Sequence, residues 1–151
     1  MKVKFYVIEH FRFDDVGDYF LYKNALYIIS YKFKNIKYCY SVFLHEFVEY
    51  FLLKAKGVSY KEIDLLDTDK AKGKRFKKVE KEYDKAHEVA LGCERILAKA
   101  LGLDFKKSQR EILKITPKIL TDLSVKKYLK LLKKHGKLIF EFTIPDIVKR
   151  L

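Results

Sequence analysis

The stretch from Lys37 to Lys56 reads as a helix that is apolar on nearly every side. Tyr38, Val42, Phe43, Leu44, Phe47, Val48, Phe51 and Leu53 surround it, and Gly57 is a natural stop. Such a helix belongs in a protein interior, so its polar interruptions must be satisfied there. Before the final turn these are Ser41, His45, Glu46 and Glu49. Ser41, His45 and Glu49 are spaced by four and share one stripe. A carboxylate buried without a partner costs roughly several kcal/mol. A divalent metal compensates directly, because it binds neutral imidazole and ionised carboxylate at i, i+4 spacing. Glu46 is offset by about 100° around the helix. In an H-E-x-x-H helix the residue so placed is the general base; here the second histidine is Glu49, giving H-E-x-x-E.

Three protein ligands with an open position make a reactive site. The third comes from a second long helix, expected from about Lys78 to Leu101 and closed by Gly102. Glu88, Arg95 and Lys99 mark its polar face, whereas His87 lies with Ala90, Leu91, Glu94 and Ala98 on a mainly apolar side. Taken singly, His45 with Glu49 and His87 with Glu94 also read as hydrogen-bonded core pairs. Taken together, two buried pairs without an ion are harder to sustain. The expected ligands are therefore His45, Glu49 and His87, with Glu94 orienting a ligand from behind and Glu46 as catalytic base. Zinc is the expected metal, and ferrous iron and manganese are compatible.

The flanking segments suggest an α+β fold. Val3, Phe5 and Val7 alternate with polar neighbours as in a strand. Asp14 to Asp18 is turn-rich, and the runs Tyr19–Tyr22 and Ala25–Tyr31 form a hairpin about Lys23-Asn24. The expectation is a small antiparallel sheet, N-terminal strand plus hairpin, packed on the two long helices. Ser59 and Glu62 form a capping box for a short helix ending near Asp67. Asp64 and Asp67 could approach the site, and are read first as capping and loop solvation. Asp69 to Lys78 reads as a mobile basic loop.

Residues 105–151 read as a mainly helical extension packed on the same domain as residues 1–104. Ser108–Lys114 is expected to be helical, and Pro117 to open a short helix. Ser124 caps Val125–His135, the alternation Leu138 to Ile144 is a late strand, and Pro145 opens a last helical turn.

Composition closes off several classes. No apolar run approaches the roughly 20 residues that span a bilayer, and Met1-Lys2-Val3-Lys4-Phe5 begins a strand, not a secretion signal. The expected location is cytoplasmic, with no membrane partner. Cys39 and Cys93 are expected to be reduced, and no CxxC pair offers a thiolate zinc site. His10 and His135 are assigned no chemistry. The net charge of +13 is spread from Lys2 to Lys149, which reads as a solvated cationic surface ahead of a nucleic-acid site.

Several of these segments together resemble a family of small uncharacterised bacterial and phage proteins. They are Val16-Gly17-Asp18-Tyr19, Val42 to Glu49, Lys56-Gly57-Val58, Ile63 to Asp67, Tyr83 to His87, Glu94 to Ala98 and Leu101 to Asp104. The likeness covers about the first two-thirds of the chain. It implies a zincin-like metal-binding core over residues 1–104, with H-E-x-x-E on one helix and a histidine and glutamate on the next. It names no substrate. The chain differs in its basic loop before Tyr83, in Tyr19 where a tryptophan is usual, and in its extension. The function expected is a metal-dependent hydrolase acting on a small-molecule, peptide or phosphoester substrate. The alternative is a basic nucleic-acid-binding or interaction module whose metal is structural or absent.

Overall fold

A computed structural model describes residues 1–120 and 124–145 of the chain. Its sheet is built from β1 (Lys2–Ile8), β3 (Gly17–Tyr22), β4 (Ala25–Tyr31) and β6 (Lys137–Thr143), in the order β3-β4-β1-β6. The fold is α+β, as expected, but the sheet is mixed. β4 lies antiparallel to β3 and parallel to β1, with Lys2 opposite Ala25 and Ile8 opposite Tyr31. The reason lies in β4, whose residues Ala25 to Ser30 are all buried. A strand apolar on both faces needs cover on both, which the middle of a sheet between two helical layers supplies. The hairpin therefore turns β4 inward and leaves β3 at the edge. Lys23 and Asn24 make that turn with φ of 45° and 60°, the positive pair of a type I′ hairpin.

The late strand of the extension is β6, which pairs antiparallel with β1 and carries an irregularity opposite Phe5 and Tyr6. A second, two-stranded sheet joins β2 (His10–Phe11) to β5 (Lys118–Ile119) in parallel. This corrects the short helix expected from Pro117. The backbone there is used for pairing instead: Lys118 N donates to Glu9 O at 3.0 Å and Leu120 N to Phe11 O at 2.9 Å.

Helices cover both faces of the main sheet. On one face Val3, Phe5, Tyr19, Leu26 and Ile28 share a core with α1 (Ile36–Ala55), α2 (Tyr60–Asp67) and α3 (Lys74–Ala100). On the other, Ile8, Phe11, Phe20, Tyr27 and Ile29 meet Tyr128, Leu129 and Leu132 of α5 (Val125–His135). The capping box at Ser59 and Glu62 and the cap at Ser124 form as expected. α3 begins earlier than expected, which shortens the basic loop to about residues 69–73. Lysine and arginine are good helix formers, and Arg75 is held by Glu62 at 2.7 Å and by Gly57 O at 3.0 Å. α4 (Phe105–Leu113) is capped by Asp104 and follows α3 directly. The helical turn expected after Pro145 lies outside the described residues. No helix of the described residues is long and apolar enough to cross a membrane.

Candidate metal centre

α1 starts at Asn35, whose side chain accepts from Lys37 N, and runs between the sheet and α3. That position buries its stripe: Ser41, His45 and Glu49 are 2%, 9% and 4% exposed. α3 brings up His87 and Glu94 on its inner side, with Glu94 buried and His87 half-buried. The two helices thus bring His45, Glu49 and His87 together, and these three could hold a metal ion.

The geometry is a small triangle. His45 Nε2 lies 3.1 Å from His87 Nδ1 and 3.3 Å from Glu49 Oε2, and His87 Nδ1 lies 3.3 Å from the same Glu49 oxygen. Zinc bonds of about 2.0–2.2 Å set adjacent tetrahedral ligands about 3.3–3.6 Å apart, so the triangle fits with little adjustment. Without an ion, protons must hold these groups together. His45 Nδ1 faces Glu94 Oε2 at 3.1 Å, and a carboxylate only accepts, so that contact puts the His45 proton on Nδ1. Without a metal, Nε2 must carry a proton as well in order to donate to Glu49 Oε2, which makes the ring an imidazolium. A metal ion at the centre can take the place of that Nε2 proton while Nδ1–H stays on Glu94.

Electrostatics carries the same demand for positive charge. Burial pushes the His45 imidazole down, but hydrogen bonds to Glu49 and Glu94 outweigh it and hold the ring at about 10. Burial pushes Glu49 up, but His45 and His87 win and hold its carboxyl below the usual range.

Glu94 stands behind His45, away from the triangle, and its other oxygen accepts from Gln109 Nε2 at 2.8 Å. The result is a chain from α4 through α3 to α1 that fixes both the tautomer and the orientation of His45. Gln109 is not among the residues the sequence singles out, because no periodicity links α4 to the metal stripe. Tyr83 stacks on His87 with centroids 5.8 Å apart and an interplanar angle of 26°.

Glu46 takes no part in the triangle. It lines the adjoining cavity of about 240 Å³, with His45, Glu49 and His87. Its carboxyl packs against Gly17 on β3, where an added Cβ would come within 2.8 Å of Glu46 Cδ. Gly17 is therefore fixed by close approach. Burial, then the negative charge of Glu49, pushes the Glu46 carboxyl well above its usual range.

Asp15, Asp18, Asp64 and Asp67 also line the cavity and form an acidic wall. Arg12 anchors it, donating to both Asp18 oxygens at 2.8 and 2.9 Å and to Asp64 at 2.9 Å. Arg12 and Asp18 are both buried, and the guanidinium lies over the Phe20 ring at 5.1 Å. Of the two readings of Asp64, capping is thus corrected and approach to the site holds: it lines the cavity as an ion-pair partner of Arg12, 52 residues away in sequence. Asp67 faces the cavity as well as solvent. Both cysteines are free, and Cys39 Sγ donates to Tyr31 O at 3.4 Å. His10 and His135 lie ring to ring at 5.8 Å, outside the cavity.

Comparison with family models, with curated proteins and with solved structures returns no match to this chain. Function must therefore be read from the geometry of the site.

Proposed function

We propose that the protein is a metal-dependent hydrolase with zinc as its working metal, in keeping with the resemblance to zincin-like proteins drawn from the sequence. The observation that carries this reading is the triangle of His45 Nε2, Glu49 Oε2 and His87 Nδ1, with edges of 3.1–3.3 Å beside a cavity of about 240 Å³. A closed structural site would fill its coordination with protein groups, whereas three ligands beside a cavity leave room for reactants. The bound metal supplies a Lewis acid that polarises a carbonyl or phosphoryl oxygen and makes water more acidic.

The protein's own groups divide the remaining work. His45, Glu49 and His87 hold the ion. Glu94 and Gln109 keep the His45 ring in place with its proton on Nδ1. Glu46, about 100° around α1 from the ligand stripe, is the general base that takes a proton from water and returns it to the leaving group. Gly17 leaves space for that carboxylate at the cavity wall. Nucleic-acid binding draws support from the net charge alone, and among the described residues no lysine or arginine lines the cavity.

The test is metal analysis of the purified protein, followed by a hydrolysis screen across peptide, amide and phosphoester substrates. The expected result is one divalent ion per chain, and turnover that Glu46→Gln abolishes while the ion is retained. Protein without metal that gains no stability from added zinc would refute the reading. Unchanged turnover in Glu46→Gln would refute the role of Glu46.

A further inference from the structure

The cavity has the opposite charge to the chain around it. The protein carries a formal +13, yet among the described residues no lysine or arginine lines the cavity. Most of its carboxylates have a compensating partner. Arg12 answers Asp18 and Asp64, the His45 ring and Gln109 answer Glu94, and Glu49 belongs to the metal triangle. Asp15 accepts only from the backbone, at Val16 N and Gly17 N. Apart from Glu46, the proposed base, Asp67 is the cavity carboxylate with no hydrogen bond or ion pair among the described residues. Its carboxyl is pushed up to about 7, by burial first and then by Asp15, Asp18, Asp64 and Glu49.

A second observation comes from a different group. Tyr19 lines the same cavity and is 5% exposed, and its hydroxyl has no hydrogen-bond partner among the described residues. A buried hydroxyl without a partner forfeits the hydrogen bond it would make in water. A ligand with a polar group restores it. The rings of Tyr19 and Tyr83 also bring aromatic surface to the cavity, and aromatic faces attract cations.

We infer that the metal cavity selects a substrate bearing an alkylammonium or guanidinium group, such as a lysine or arginine side chain, with Asp67 as its principal counter-charge and the Tyr19 hydroxyl as a hydrogen-bond partner. This deepens the hydrolase reading and rests on it. The cavity is smaller than the roughly 300–1,000 Å³ of drug-sized sites, which suits a single side chain. The same carboxylates repel a phosphate, so among the substrates considered the peptide or amide is favoured over the phosphoester.

The test uses the zinc-loaded protein and three Nα-acetylated amino-acid hydroxamates, of lysine, norleucine and glutamate. All three present the same metal-binding group, and lysine and norleucine share a four-carbon side chain, so that pair isolates the terminal charge. Calorimetric titration is expected to rank lysine at least tenfold tighter than norleucine, with glutamate weakest. Asp67→Asn is expected to reduce the lysine-to-norleucine ratio at least threefold. Equal affinities, a preference for norleucine or glutamate, or no binding by zinc-loaded protein overturns the inference while the metal site stands. A ratio unchanged in Asp67→Asn overturns the assignment of the counter-charge. Failure of the protein to take up zinc overturns the hydrolase reading, and the inference falls with it.

Discussion

Zinc should stabilise the fold, and Glu49→Gln should remove most of that effect. In the folded state His45 Nε2 lies 3.3 Å from Glu49 Oε2 beside His87, a ready-made site that the unfolded chain lacks and in which a metal takes the place of the His45 Nε2 proton. Binding to the folded state alone stabilises it by RT ln(1 + [L]/Kd), about 2.7 kcal/mol at a hundredfold excess over Kd. For a chain of 151 residues each kcal/mol raises Tm by about 2–4 °C, so the expected shift is about 5–11 °C. Glu49→Gln preserves shape but removes the anionic ligand. If affinity falls a hundredfold, the same zinc concentration gives only about 0.4 kcal/mol, or a shift of about 1–2 °C.

Thermal unfolding in chelator and in zinc, for wild type and Glu49→Gln, measures both numbers. Ser124→Ala is the control, because Ser124 caps α5 by accepting from Lys127 N at 3.3 Å, on the other side of the sheet from α1. It should lose about 1 kcal/mol in both conditions and keep the full zinc shift. A wild-type shift below about 1 °C, or an equal shift in Glu49→Gln, refutes the reasoning from the triangle.

Glu94→Gln should weaken zinc binding about 10–100-fold and Gln109→Leu by less, as chelator competition will measure; the reverse order would break the proposed support chain. Gly17→Ala must displace the Glu46 carboxylate by about 1 Å, so turnover should fall about a hundredfold with zinc affinity kept within about threefold. Arg12→Met leaves Asp18 buried without its partner and should cost about 3–5 kcal/mol in urea unfolding, with a smaller loss when Asp18→Asn is added. Asp67 is held at about 7 when folded against an ordinary 3.8, so the native state binds its proton more tightly than the unfolded chain. Its contribution to stability is therefore present at low pH and is lost as pH rises from about 4 to about 7. In chelator, Asp67→Asn should match wild type near pH 4 and exceed it by about 1 kcal/mol near pH 8, a figure reduced for the partial exposure of the side chain. Equal differences at the two pH values would count against a raised Asp67.

The sequence is most informative where local pattern and burial coincide. α1 is apolar all round, so its residue pattern alone marks the stripe of Ser41, His45 and Glu49 as buried. His87 and Glu94 stand out on α3 because the polar face of that helix is marked by Glu88, Arg95 and Lys99. The pairing partner of β1 is less legible. Alternation at Val3, Phe5 and Val7 identifies a strand but not its neighbour, and the decision comes from β4, which is buried almost throughout. β5 escapes sequence pattern because only two residues pair, and Pro117 carries an equally good helix-start signal. The acidic wall is hidden for another reason. Asp15 and Asp18 come from the turn before β3 and its first residues, and Asp64 and Asp67 from α2. Only packing across Arg12 unites them.

That packing also bears on how the extension relates to the site. α4 supplies Gln109 to Glu94, and Ile112 and Leu113 to the cavity wall. α5 covers the sheet face formed by Phe11, Phe20 and Ile29, and Tyr128 Oη donates to His10 O at 2.7 Å, close in sequence to Arg12. Arg12 itself lies between the acidic wall and the rings of Phe20 and Tyr128, with the latter 6.0 Å away. The residues that hold the metal triangle lie on α1 and α3, but those that orient and enclose it reach the sheet, α2, α4 and, through Arg12, α5. An ionisable cluster inside a basic protein is stable only if its surroundings are fixed on every side. The last third of the chain provides part of that enclosure, which ties its packing to the chemistry of the first two-thirds.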